Sequence, residues 1–112
     1  MRVQIFRPNR ILSSESSYEL ASLVDDAVTS NTPVTIVVDL WDTALVDSRG
    51  LSAMMRAMQR LREIGGDIVL CGVLGQAKIL LDITDTYKLF KVYDTVSSFL
   101  AATQLETSHS VD

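Results

Sequence analysis

Apolar and polar positions along the chain form blocks that predict strands and helices in turn. Residues 34–40 are apolar apart from Thr35 and Asp39 and are rich in β-branched side chains, which is typical of a parallel strand covered on both faces. After Gly50, apolar residues recur at steps of three and four, which predicts an amphipathic helix with one buried stripe. That stripe comprises Leu51, Met54, Met55, Met58, Leu61 and Ile64. Gly65-Gly66 is expected to end the helix.

Further strands and helices are predicted on either side of this unit. Strands are predicted at residues 3–6, 10–12, 68–71 and 91–93. One helix follows the capping-rich residues 13–17, a later one follows Gly72 and carries Ala77, Leu80, Leu81 and Ile83, and a last one begins at Asp94 or Thr95. The resulting order is strand, strand, helix, strand, helix, strand, helix, strand, helix, which predicts the α/β class.

Length and composition describe one domain. A chain of 112 residues with 47% hydrophobic content is long enough to bury one core without disulfides. The single cysteine, Cys71, lies in an apolar run, which rules out an internal disulfide and favours a small buried side chain. No stretch reaches the ~20 apolar residues that span a bilayer, and the arginine-flanked start does not resemble a signal peptide. We therefore expect a cytoplasmic protein that does not associate with membranes.

The charge distribution is uneven. The net charge of −4 argues against nucleic-acid binding. Residues 49–63 nevertheless carry four arginines and a single glutamate. Two interpretations stay open: a solvated helix face, and a basic docking surface for an acidic protein partner.

The junction between the strand at residues 34–40 and the next helix carries the candidate chemistry. Ligand and partner sites in such folds gather at the carboxyl ends of strands. Ser48 lies there, within the segment DSRGL at residues 47–51. It could serve only as a helix cap, or it could accept a phosphate that the helix amino end would hold. Gly50 either permits a close approach to the first helical turn or relaxes the backbone.

A catalytic site or a metal site is less well supported by these residues than a phosphate-acceptor site. A serine nucleophile needs a base, and the single histidine, His109, lies in the C-terminal tail. The chain also lacks a phosphate loop of the GxxxxGK type. We therefore expect no enzyme activity and no bound metal. The weaker alternative is a small metal- or nucleotide-binding α/β enzyme that uses Asp39, Asp42 and Asp47.

Residues 36–73, IVVDLWDTALVDSRGLSAMMRAMQRLREIGGDIVLCGV, resemble the STAS domain family, typified by bacterial anti-sigma factor antagonists. The family pattern is a strand ending in Asp-Leu, then Asp-Ser-(Ser/Thr)-Gly-Leu at a helix start, then a Gly-Gly turn. The resemblance continues through LLDITDTYKLFKVYDT at residues 80–95. It implies a STAS domain at residues 1–105 and a flexible tail at residues 106–112. The implied fold has about four to five mixed strands, with about four helices packed mainly on one face.

The resemblance also implies a function in signal transduction and regulation of transcription. Ser48 matches the serine that a cognate kinase phosphorylates, and that kinase is itself the anti-sigma factor. The unphosphorylated form binds the kinase, phosphorylation weakens binding, and a phosphoserine phosphatase reverses the switch. The kinase supplies ATP, so no cofactor is expected in this chain, which we expect to be a monomer or weak dimer. The alternative is a scaffold STAS module that binds another signalling protein, with Ser48 only a helix cap.

The expected partner-binding surface surrounds Ser48. Asp47 matches the carboxylate that helps the partner engage, and the arginines are candidates for pairing with an acidic kinase surface. Trp41 is either a contact or a cover for the edge of the core. The full set is Trp41, Asp42, Asp47, Ser48, Arg49, Gly50, Ser52, Arg56 and Arg60.

Three departures from the family pattern concern this surface and its supports. Arg49 replaces a small hydroxyl residue and could either pair with phosphate or redirect partner choice. Asp85-Thr86 stands where Gly-Leu is usual, and Asp tolerates the left-handed backbone better than most residues. The second strand lacks the usual glycine at Asn9 or Arg10.

Overall fold

The computed structural model describes residues 2–8 and 10–111, with side chains described as far as residue 103. Asn9, one of the two positions where the family glycine is usual, lies outside the described residues. Six strands and four α-helices occur within them, together with a short 3-10 helix. The elements are β1 (Val3–Phe6), β2 (Ile11–Leu12), α1 (Ser14–Thr29), β3 (Thr35–Asp39), β4 (Leu45–Val46), α2 (Ser48–Glu63), β5 (Asp67–Cys71), α3 (Gly75–Ile83), the 3-10 helix (Tyr87–Leu89), β6 (Lys91–Tyr93) and α4 (Val96–Val111).

The main sheet contains four parallel strands in the order β1-β3-β5-β6. Each strand lies beside the next one of the sheet in chain order, and right-handed crossovers therefore place α1, α2 and α3 on the same face. The strands β2 and β4 form a separate parallel pair, with Ile11 opposite Leu45. The predicted α/β class, with helices mainly on one face, is confirmed.

The strand β3 is buried on both faces, as its apolar sequence predicted. Ile36 and Val38 point into the large core beneath α1, α2 and α3. Val37 points to the opposite face, where Val69 of β5 and Phe99 of α4 form a smaller cluster with it. Alternation along the strand therefore supplies both layers of the core.

The predicted order of elements is confirmed, with additions. The two-residue strand β4 was not predicted, and all described strand pairs are parallel rather than mixed. Gly65 and Asp85 adopt the left-handed backbone, with φ of 86° and 57°, so the expected turns after α2 and α3 both form. The backbone of α4 continues to Val111. The flexibility of residues 106–112 stays a prediction.

The core confirms the apolar stripe of α2 and the buried thiol. Met54 and Met58 are buried, and Met55 packs partly buried against the same core. Cys71 is fully buried. Burial raises the pKa of the Cys71 thiol to about 11, and the negative charge of Asp39 adds to the effect. Within residues 2–8 and 10–111, no helix combines the length and the hydropathy needed to cross a membrane.

Candidate functional site

Asp47, not Ser48, caps the second helix. The backbone of Asp47 is extended, and its Oδ1 accepts a hydrogen bond from the Gly50 N–H at 2.9 Å. Its carbonyl oxygen accepts from the Leu51 N–H at 3.0 Å, which begins the helical pattern. Ser48 is already the first helical residue. The interpretation of Ser48 as the cap is therefore wrong, because only the extended residue before the helix can turn its side chain back to the free N–H groups.

The hydroxyl of Ser48 is left accessible by this arrangement. The residue is exposed. Among the described residues, none forms a hydrogen bond with the Ser48 side chain. A visiting enzyme or partner can therefore reach the oxygen without first breaking a contact in this part of the chain.

The close packing of β2 against the start of α2 requires glycine at position 50. A Cβ added at Gly50 would lie 2.3 Å from the carbonyl oxygen of Leu12. The same carbonyl accepts a hydrogen bond from the Asp47 N–H at 3.2 Å. Of the two interpretations of this glycine, the close approach is confirmed. Gly50 is buried, so it shapes the site by admitting β2 against the first turn of α2.

The helices α1 and α2 run side by side and in parallel. Arg49 Nη1 donates to Ser14 Oγ at 2.9 Å at the start of both helices. Arg60 Nη1 pairs with Asp25 Oδ1 at 2.6 Å, about three turns further along both. A groove of about 370 Å³ opens between their amino-terminal halves. Its lining residues are Ser14, Ser17, Tyr18, Ser48, Arg49, Ser52 and Arg56.

The contribution of α1 to this groove was missed by the sequence analysis. Ser14, Ser17 and Tyr18 are spaced by three and four residues, so they share one face of α1. Tyr18 is 76% exposed. The three-and-four spacing of these polar residues is present in the sequence, but the helix was predicted from its apolar residues, which face the core and do not report on the groove.

The predicted basic face of α2 divides into two parts. Arg49 and Arg56 line the groove next to Ser48. Arg60 is paired with Asp25, and Arg62 donates to Asp67 Oδ1 at 2.9 Å. Residues 49–63 are therefore not a uniform docking surface, because the arginines of the second half already hold carboxylates of this chain.

The remaining predicted site residues lie elsewhere along the carboxyl edge of the sheet. Asp39 Oδ2 accepts from Arg7 Nε at 3.0 Å, and its Oδ1 accepts from the Trp41 N–H at 3.1 Å. The side chain of Trp41 is 56% exposed and borders a separate depression. Asp42 is exposed in the same loop.

The structure does not support the alternative metal site of Asp39, Asp42 and Asp47. Asp39 is engaged by Arg7, and Asp47 caps α2. In the part of the chain that the structure describes, no three metal-binding side chains come together.

Exposed apolar side chains near Ser48 were also not predicted from the sequence. Ile11 and Leu45, opposite each other in the β2-β4 pair, are 48% and 41% exposed. Gln76 of α3 holds the adjoining backbone of Val46 through two hydrogen bonds of 2.8 and 3.2 Å. On α3, Ile83, one of the apolar residues from which this helix was predicted, is 77% exposed. An apolar surface thus lies immediately before the segment that carries Ser48.

A four-stranded parallel sheet with helices on both faces, and an exposed serine opening the second helix, define an α/β domain with a candidate site at the start of α2. The STAS domain family profile matches residues 2–99. The chain therefore belongs to the STAS domain family.

Known proteins resemble this chain in sequence and in fold. An anti-sigma F factor antagonist of Paenibacillus polymyxa is 27% identical over 99 residues, covering 85% of this chain and 83% of that protein. The solved structure of the anti-sigma factor antagonist SpoIIAA in its unphosphorylated form has a TM-score of 0.70 at 13% identity, covering 94% and 90% of the two chains. A sulfate transporter family protein from Wolinella succinogenes has a TM-score of 0.80 at 19% identity, covering 95% and 88%. The chain thus resembles an anti-sigma factor antagonist in sequence, and it shares its fold both with such an antagonist and with a sulfate transporter family protein.

Proposed function

We propose that this chain is a phosphorylation-switched binding module of a bacterial partner-switching pathway. Its unphosphorylated form binds an anti-sigma factor that is also a serine kinase, and phosphorylation at Ser48 weakens that binding. A phosphoserine phosphatase restores the binding form. The observation that carries the proposal is the exposed Ser48 hydroxyl, unpaired among the described residues, beside a helix cap supplied by Asp47.

The separate roles of Asp47 as helix cap and Ser48 as phosphate acceptor are compatible with a phosphorylation switch. Phosphorylation of a capping serine would remove a contact that the helix needs. Here the cap is the Asp47 carboxylate, so Ser48 can gain a phosphate while the Asp47–Gly50 hydrogen bond persists. The added group carries a charge of about −1.5 to −2, and the start of α2 tolerates negative charge. The fold is therefore expected to survive modification unchanged.

The effect on a partner is expected to be large because the phosphate lies at the docking surface. The apolar pair Ile11 and Leu45 offers area that a partner can bury, and the Ser48 segment follows it directly. A partner that covers both would have to remove water from a dianion, which is costly unless the charge is paired. Binding without phosphate and release with it follow from this difference.

The module itself supplies no catalysis in this proposal. The kinase brings ATP and the catalytic groups, and this chain brings the acceptor oxygen. Such a pathway operates in the cytoplasm, which is where we place the protein.

Phosphate mapping tests the proposal. The chain is incubated with ATP and with each serine kinase of the ATPase-like class from its own genome, and the modified residue is located by mass spectrometry. We expect one phosphate, on Ser48, lost in Ser48→Ala. The matched control is Ser52→Ala, since Ser52 is also exposed and lies one turn later on the same helix. Absence of label with every kinase, or label that persists in Ser48→Ala, would refute the proposal.

A further inference from the structure

We propose that the groove between α1 and α2 is a phosphoryl-binding site in which Arg49 and Arg56 hold the phosphoryl group of phosphorylated Ser48 within the same chain. The source of the phosphate rests on the proposed function. The site itself rests on the residues that line the groove.

The groove concentrates positive charge in an acidic chain. The whole protein has 14 acidic and 10 basic residues, yet the described groove lining contains two arginines and no carboxylate. Three arginines outside the groove are paired with carboxylates: Arg7 with Asp39, Arg60 with Asp25 and Arg62 with Asp67. Among the described residues, the hydrogen-bond partner of Arg49 is the neutral hydroxyl of Ser14, at 2.9 Å, and no carboxylate pairs with it. Its guanidinium is therefore available for an anion.

Both arginines border the same groove as Ser48. Ser48 and Arg49 are neighbours, and Arg56 follows Arg49 by two helical turns on the same face. A guanidinium has five donors in a planar fork that matches two phosphate oxygens at once. Arg49 would exchange its bond to Ser14 for a bond to the phosphate. This exchange moves only a side chain.

The lining also supplies neutral donors. Hydroxyl groups of Ser14, Ser17 and Ser52 border the same space, and Tyr18 closes it from α1. Phosphate oxygens accept several hydrogen bonds together. Phosphorylated Ser48 would thus occupy part of the groove and join the two helices, so the switch would act by occupying this surface and its two arginines.

Pairing with arginine predicts a measurable change in the phosphate itself. The second pKa of phosphoserine is about 6, and a nearby positive charge lowers the pKa of an acid. The groups facing the phosphate are Arg49 and Arg56 from α2, Tyr18 from α1 and the capping carboxylate of Asp47, which opposes the shift.

The test uses a chain with phosphoserine installed at position 48 by genetic encoding, so that no kinase is needed. Titration followed by ³¹P NMR is expected to give a second pKa about half a unit or more below that of a phosphoserine peptide. Arg49→Ala and Arg56→Ala should each raise it. The charge-matched control is Arg60→Ala, about 18 Å from Ser48 along α2, which should leave it unchanged. Equal pKa values in the parent chain, Arg49→Ala and Arg56→Ala would overturn the proposal.

A second arm distinguishes the chain's own phosphate from free phosphate. Inorganic phosphate is added while amide NMR signals of the groove residues are followed. We expect saturable shifts in the unphosphorylated chain and none in the phosphorylated chain, whose two arginines are already paired. Equal shifts in both chains would overturn the assignment to Ser48. A lowered phosphate pKa together with no kinase transfer would support this groove and refute the proposed function, so the two failures are distinguishable.

Discussion

Because Asp47 and Ser48 have separate roles, alanine substitutions at these two adjacent positions should differ in their effect on stability. Asp47→Ala removes the hydrogen bond of 2.9 Å to the Gly50 N–H. Ser48→Ala removes a hydroxyl that has no hydrogen bond among the described residues. We therefore expect the first substitution to destabilise the fold and the second to leave it nearly unchanged.

The size of the difference follows from the cap. Loss of an aspartate cap costs about 1 kcal/mol, and loss of its charge at the helix start adds about 0.3–1 kcal/mol. The free energy of unfolding should fall by about 1–2 kcal/mol in Asp47→Ala. For a domain of this size, that corresponds to about 4–10 °C in Tm. In Ser48→Ala, the change should stay within about 0.5 kcal/mol.

Urea unfolding followed by circular dichroism measures both values. Asp47→Asn serves as a control, because asparagine also caps helices well and should recover most of the loss. A loss in Ser48→Ala as large as that in Asp47→Ala would refute the assignment of the cap to Asp47. It would also restore the interpretation of Ser48 as a structural residue.

Three other predictions test the supports of the site. Gly50→Ala should lower the free energy of unfolding by about 2 kcal/mol in urea, because the clash with the Leu12 carbonyl outweighs the helical preference of alanine; an unchanged midpoint would contradict the close approach. Iodoacetamide should label Cys71 at pH 8 about 100-fold more slowly in the fold than in urea, since its pKa of about 11 exceeds the ordinary value of 9.0. The stability from this thiol should be complete below pH 9 and lost as pH rises through 11, and equally fast labelling would count against a buried thiol. A double-mutant cycle on Arg60 and Asp25 should give a coupling below about 0.5 kcal/mol, because both side chains are about half exposed; a larger coupling would show that screening is weaker than we assume.

The architecture was predictable because strong local patterns agree with the tertiary structure. The strand β3 is apolar on both faces and is buried on both faces. The stripe of α2 repeats at helical spacing and meets the core. The strand β4 was not predictable, since two residues carry no period of their own and form a strand only through pairing with β2.

The position of the site was predictable, but the separate roles of its residues were not. Asp47 and Ser48 are adjacent and both are good capping residues, so the sequence could not decide which lies outside the helix. The backbone decides it, because Asp47 is extended and Ser48 is helical. Likewise, Arg49 and Arg60 look alike in the sequence, and only the packing of α1 supplies Arg60 with a carboxylate and Arg49 with a hydroxyl.

The most direct test of the central claim is the affinity of the cognate anti-sigma kinase for the chain with serine or with phosphoserine at position 48, measured by titration calorimetry without ATP. If phosphorylation of Ser48 is the switch, the phosphoserine form should bind at least about tenfold more weakly, a difference of about 1.4 kcal/mol or more. Equal affinities for the two forms would contradict it.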